Sequence, residues 1–300
     1  MSGGAAAVLP LRFQIGARTL ASIPRRLVRV PLSLADAMQE RRPVLPPLEP
    51  GADGYLVTSL PEALLDEVTG GAWAAHVPQG YIRYHVDLAI DGAAWLARMS
   101  ANTRASMKRK AKKLAAANGG VLDVRRYAGA DELSAFHPLA RGVSAVTYQE
   151  RLLNAGLPEA RVLEPLAAAD RLRAWLLFLG DRPVAYLCCT VEGTTVRYDY
   201  VGHDPAAGEL SPGSVLLGEA LRDLMTERRF AFFDFTEGEG QHKRAWATGG
   251  SRCVDLLLLR PTVANRAALA ALGGFDRGVG WAKRTAAHPV IARAAKRLRR

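Results

Sequence analysis

Hydrophobic and polar positions first fall into a regular pattern at "YIRYHVDL", residues 81–88, which alternates as a half-buried strand. The next stretch, "DGAAWLARMSANTRASMKRKAKKLAAANGG", keeps a helical period. Met99, Thr103, Met107, Ala111 and Leu114 share one stripe, while Arg104, Lys108, Arg109, Lys112 and Lys113 spread over the opposite side. One helix with a packing face and a basic face is predicted, closed by Asn118 and Gly119. A strand over residues 121–127 and helices within 131–169 come next. "RLRAWLLFLGDRPVAYLCCTVEGTTVRYDYVGHD" then reads as three strands of an antiparallel meander, joined at the turn-forming "GDRP" and "EGTT". "LSPGSVLLGEALRDLMTERR" predicts a helix with Ser211 as N-cap, Pro212 at the first helical position, and Leu217, Leu221 and Leu224 as the buried stripe. It leads into "FAFFDF", a core strand that runs straight into the ionisable loop "TEGEGQHK".

The first 50 residues follow another rule. "LPLRFQIGARTLASIPRRLVRVPLSL" interleaves apolar residues with arginine and is cut by Pro10, Pro24 and Pro31, which excludes one long helix. Two readings stand side by side: a segment lying flat on an anionic membrane surface, or one packed on its own domain. "RRPVLPPLEPGADG" reads as a Pro-rich linker. The expected division is a basic, apolar extension with linker over 1–50, a main domain over 51–265 and a basic helical tail over 266–300.

Composition narrows the class. Of 300 residues 49% are hydrophobic, enough for a real core, yet "WLLFL" and "LLLL" fall far short of the ~20 residues of a membrane-spanning helix. The N-terminus has no basic start, so no secretory signal is expected. Three cysteines, two of them the neighbours Cys188 and Cys189, suit a reducing cytoplasm. The net charge of +11 is concentrated: residues 101–120 hold six Lys or Arg and no acid, residues 281–300 hold seven and none, and residues 1–50 hold seven Arg against three acids. Such runs commonly meet phosphate on nucleic acid, anionic lipid or a charged cofactor.

One place offers phosphate chemistry of its own. At the start of the Ser-Pro-Gly helix, Pro212 has no N–H, so the first-turn donors belong to Gly213, Ser214 and Val215 in a region of partial positive charge. Gly213 lets a ligand approach the backbone, and the Ser214 hydroxyl adds a donor. A pyrophosphate fits there.

Three antiparallel strands, a phosphate-ready helix start and a following strand resemble the acyl-CoA-binding core of the GNAT acyltransferase superfamily. More narrowly, "YDYVGHDP…LSPGSVLLGEALRD…FAFFDFTEGEGQHKRAWATGG" is similar to the cellulose-biosynthesis-associated acetyltransferases, a branch related to the Fem peptidyltransferases. That branch shows an "sPG" helix start, a "DFxxGxxxYKxxW" block and an Arg/Lys-rich helix upstream like "TRASMKRKAKK". The similarity spans roughly residues 81–260, with His242 standing where the branch has Tyr.

The resemblance implies an α+β (α/β) fold: a GNAT-like mixed, mostly antiparallel splayed sheet flanked by helices, with an acyl thioester in the splay. It implies transfer of an acyl group from acyl-CoA to an amine or hydroxyl acceptor in cell-envelope lipid or polysaccharide synthesis, a long-chain amine such as a sphingoid base being one such acceptor. No metal is expected. Glu237, His242 and Asp234 are the candidate proton acceptors, with Asp199 and His203 as further cleft groups; Asp234 also reads as a loop anchor. Ser211, Gly213, Ser214 and Val215 would hold the pyrophosphate, and Lys243 and Arg244 would bind CoA phosphates or fix the loop. Trp246 reads as core. Two other functions remain open: a Fem-like transferase using aminoacyl-tRNA, and a non-catalytic adaptor at a membrane surface. The basic helix has no interleaved aromatics for base stacking, so nucleic acid is not the expected partner. The expected location is cytoplasmic, with the inner face of the cytoplasmic membrane as its peripheral variant.

Overall fold

The computed structural model describes residues 5–15, 18–147, 156–238 and 240–286. Among these the strands, in chain order, are β1 (Ala7–Ile15), β2 (Arg18–Pro31), β3 (Gly54–Pro61), β4 (Ala74–Asp87), β5 (Asp123–Tyr127), β6 (Leu172–Leu179), β7 (Arg182–Glu192), β8 (Thr195–His203), β9 (Phe232–Asp234) and β10 (Gly249–Leu259). Two compact units are formed, one from residues 82–250 and one from residues 1–81 with 251–300.

In the contiguous unit the strand order is β4-β9-β8-β7-β6-β5. The expected meander is present. β6 pairs antiparallel with β7 and β7 with β8, and the two tight turns place Gly180 and Gly193 at φ +58° and +59°, where a side chain would be strained. The helix Pro212–Glu227 returns the chain across the sheet, so β9 lies parallel to β8. Alternate residues of β6 serve two cores. Trp175 and Leu177 join Leu216, Leu221, Leu224 and Phe233 on one side, while Leu176 and Phe178 join Phe136 and Leu163 of the helices Ala130–Ala145 and Ala160–Ala168 on the other. The result is a mixed, mostly antiparallel sheet with helices on both faces.

Two expectations change here. The helix predicted across residues 91–117 is two helices, Gly92–Arg98 and Ala101–Ala117. Met99 is extended, and the Ser100 hydroxyl accepts the Thr103 N–H at 3.1 Å, restarting the helix with a cap. The strand read from "FAFFDF" pairs regularly only over Phe232–Asp234.

In the other unit β1 and β2 form an antiparallel pair, β2 runs parallel to β3, and β3 pairs antiparallel with β10. Residues 7–15 and 18–31, read from sequence as part of a proline-broken extension, are therefore strands. The prolines are accommodated because Pro24 faces Pro10 across the β1–β2 pair, while the β2–β3 pairing covers only Leu27–Pro31 and ends on Pro31. The helix Val263–Ala286 sets Ala268, Leu269 and Leu272 against Leu11, Leu27, Leu257 and Leu259. The basic end of the tail, residues 287–300, lies outside the described residues, as does Glu239. Among the described residues no helix is long and apolar enough to cross a membrane.

Candidate active site

The site begins where two strands stop being neighbours. β8 and β9 pair only from Thr195–Phe232 to Arg197–Asp234, so Tyr198–His203 continue without β9 beside them. β9 stops there for a visible reason. Asp234 and Arg83, both with fully buried side chains, form a two-pronged ion pair: Arg83 donates Nε–H to Oδ1 at 3.2 Å and a terminal N–H to Oδ2 at 2.6 Å. The Thr236 N–H donates to Oδ1 at 2.8 Å, and Thr236 itself sits at φ +59°, turning the chain away.

The opening has a volume of 470 Å³ and is lined by Tyr198, Val201, His203, Ser211, Gly213, Ser214, Leu217, His242, Lys243 and Trp246 among others. Six of the residues singled out from sequence thus meet around one cavity: His203, Ser211, Gly213, Ser214, His242 and Lys243.

The helix start differs in detail from the expectation. Ser211 is left-handed (φ 54°, ψ 47°), which turns its carbonyl to accept the N–H groups of both Ser214, at 3.1 Å, and Val215, at 3.2 Å. Those two donors are used within the protein, and the Val215 side chain is core. The Gly213 N–H keeps no partner among the described residues. His203 flanks it: a Cβ at Gly213 would lie 3.6 Å from His203 Nδ1. Two cations of the basic helix also arrive here, Lys110 Nζ donating to Ser214 Oγ at 3.4 Å and Lys113 Nζ to the Glu209 carbonyl at 2.9 Å.

In the stretch read as one ionisable loop, His242 and Lys243 lie on the short helix Gln241–Trp246, and the tasks are divided. Lys243 Nζ donates to the main-chain carbonyls of Glu237, at 2.8 Å, and Gly238, at 3.2 Å, so it holds the loop from within. Burial lowers the Lys243 pKa, with Asp234 and Glu237 opposing. His242 lies 6.4 Å from the rings of Tyr198 and Phe235. Partial burial and then the Lys243 charge hold its pKa below the ordinary imidazole value, which favours the neutral, proton-accepting form. Tyr198 is partly buried, and that burial pushes its phenol up, so it stays protonated. Arg244 is exposed.

Three candidates stand elsewhere. Asp234 is committed to Arg83, the loop-anchor role. Asp199 accepts from the Thr190 N–H at 3.0 Å, from its hydroxyl at 2.5 Å and from Arg197 Nε at 3.3 Å, which ties it across the β7–β8 irregularity and not to His203. Glu237 is not among the residues lining the opening. Arg83 and Lys110 were missed from sequence. Arg83 left one sign, an inward position in the alternation of "YIRYHVDL"; Lys110 was visible only as one charge of the basic run "TRASMKRKAKK".

Residues 101–244 match the family model of the acetyltransferase (GNAT) domain. No curated protein matches the chain. Among solved structures FemX is similar with a TM-score of 0.50 and 10% identity, covering 85% of this chain and 89% of FemX. The C-terminal domain of a protein described as a lysylphosphatidylglycerol synthetase from Agrobacterium fabrum gives 0.49 and 12%, covering 73% and 71%. A GCN5-related N-acetyltransferase from Kribbella flavida gives 0.39 and 12%, covering 71% of each chain. The parted strands and the glycine-bearing helix start both lie within residues 101–244, the part of the chain that matches the GNAT-type acetyltransferase domain.

Proposed function

We propose that this protein moves an acyl group from acyl-CoA to the amine of an acceptor in cell-envelope lipid or polysaccharide synthesis, a long-chain amine being the favoured class, at the inner face of the cytoplasmic membrane. The observation that carries the reading is the parting of β8 from β9 beside the Ser-Pro-Gly helix start, with a 470 Å³ cavity in the gap. Such a cavity lies in the size range of small-molecule sites, ~300–1,000 Å³. In this reading the pyrophosphate meets the Gly213 N–H, His203 and Lys110, and the thioester lies along Tyr198–His203. Main-chain N–H groups of that stretch, free of β9, stabilise the oxyanion. Neutral His242 takes the proton as the amine nitrogen bonds to the carbonyl carbon; the carbon–sulfur bond then breaks, and the CoA thiolate recovers that proton.

A second reading, transfer from an aminoacyl-tRNA, is favoured by the acid-free basic helix. Thermal unfolding of the full chain with CoA and, separately, with tRNA distinguishes them. CoA at about 100 times its Kd adds roughly 2.7 kcal/mol of stability and raises the midpoint if the first reading holds. A rise with tRNA alone moves the function to the second, and a rise with neither leaves the non-catalytic adaptor.

A further inference from the structure

A second cavity, of 560 Å³, opens between the basic helix Ala101–Ala117 and the helix Pro212–Glu227. Its floor is apolar, made by Leu96, Met107, Ala111, Leu122, Val215 and Trp246. Gly218 keeps that floor low, since a Cβ there would come to 3.4 Å from Met107 Cε and 3.5 Å from the Trp246 ring. The rim is cationic: Arg104, Lys108, Lys110, Lys112 and Arg222 against the single acid Glu219. Most of these charges are engaged. Arg104 donates to the Met99 and Leu96 carbonyls, Lys110 to Ser214 Oγ, and Arg222 is held by Glu219. Lys108 and Lys112, one turn apart, have no partner among the described residues.

We propose that this cavity binds an anionic amphiphile, with one alkyl chain on the floor and a carboxylate or phosphate end between Lys108 and Lys112. Each half of the ligand answers a separate observation. A solvated apolar floor is stabilised by burying alkyl surface, at about 25 cal/mol per Å², and two unpartnered ammonium groups are stabilised by an anion between them. A bare nucleic-acid backbone would meet the rim and leave the floor unfilled. A soluble fatty acid or alkyl phosphate and an anionic bilayer lipid share this chemistry. The inference stands apart from the acyl-transfer reading, because it concerns binding in a neighbouring cavity that shares only Ser214 and Trp246 with the strand opening.

The test is calorimetric titration of the full chain with decyl phosphate below its micelle concentration, beside ethyl phosphate and decyltrimethylammonium. Decyl phosphate is expected to bind, and the other two at least tenfold more weakly. The exposed double variant Lys108→Glu/Lys112→Glu should weaken decyl phosphate at least tenfold, with its circular dichroism unchanged. Ala115 also lines the cavity, and Ala115→Phe, which fills it, should remove binding. Equal affinity for the cationic probe, affinity for ethyl phosphate equal to that for decyl phosphate, or no response to the double variant overturns the proposal. Displacement of bound decyl phosphate by phosphatidylglycerol vesicles supports a bilayer source, and binding that the vesicles leave untouched supports a soluble one.

Discussion

Asp234 and His242 are eight residues apart and have opposite chemistry. Asp234 is sealed against Arg83, and removing one member of a buried ion pair leaves the other charged and uncompensated. Asp234→Asn should therefore lower unfolding stability by about 3–5 kcal/mol, read from urea denaturation. His242→Asn should leave stability nearly unchanged and reduce turnover by roughly 10² to 10⁴, with acyl-CoA affinity preserved. Histidine also sets the acid response. His85 is 8% exposed, its Nδ1 has no partner among the described residues, and burial lowers its pKa against the pull of Asp234 and Asp87; His242 is lowered as well. The unfolded chain takes up these protons near pH ~6.5, before the folded chain does, so stability is full above that pH and falls as pH drops below it. Thermal midpoints between pH 8 and 5 should show the decline, and His85→Gln should flatten it. At this scale the cavity histidines were legible because each belongs to a short polar cluster in the sequence, His203 at the end of β8 and His242 at the start of the helix Gln241–Trp246. Arg83 was not, because what makes a buried arginine tolerable is a carboxylate 151 residues away.

At the scale of elements, the left-handed Ser211 leaves the Gly213 N–H as the unengaged first-turn donor of the helix Pro212–Glu227. Gly213→Asp puts a carboxylate beside that donor, where acids are tolerated by the helix but repel a pyrophosphate. The variant should fold normally by circular dichroism and lose CoA binding in a thermal-shift titration; a folded variant that binds CoA like the parent would place the site elsewhere. The meander was readable because its turns are two residues long and announce themselves. The break at Met99–Ser100 was hidden, because the apolar stripe runs through it and only a local cap interrupts the hydrogen bonding. In "FAFFDF" the regular strand ends at Asp234, yet Phe235 is fully buried and still donates its N–H to the Tyr84 carbonyl at 3.0 Å, so the apolar run reported burial beyond the regular ladder.

For the molecule as a whole, the unit built from residues 1–81 and 251–300 escaped the sequence, since the pairing of β3 with β10 joins stretches far apart in the chain. Leu11 and Leu27 cover Leu257, Leu259, Ala268 and Leu269. Deleting residues 1–31 should expose that surface, and dye binding to exposed apolar surface should rise as cooperative unfolding of this unit is lost. Retention of the parental unfolding curve would show that β1 and β2 are dispensable.

The split unit also has a consequence in time. While a ribosome makes the chain, residues 82–250 emerge as one stretch and can fold as one, but β3 is finished at Pro61 and its partner Cys253 arrives, at about 5–20 residues per second, roughly 10–40 s later. Throughout that interval the β3 edge carrying Val57 and Leu60 waits open, and the nascent chain is at its most exposed to mispairing with another copy of itself.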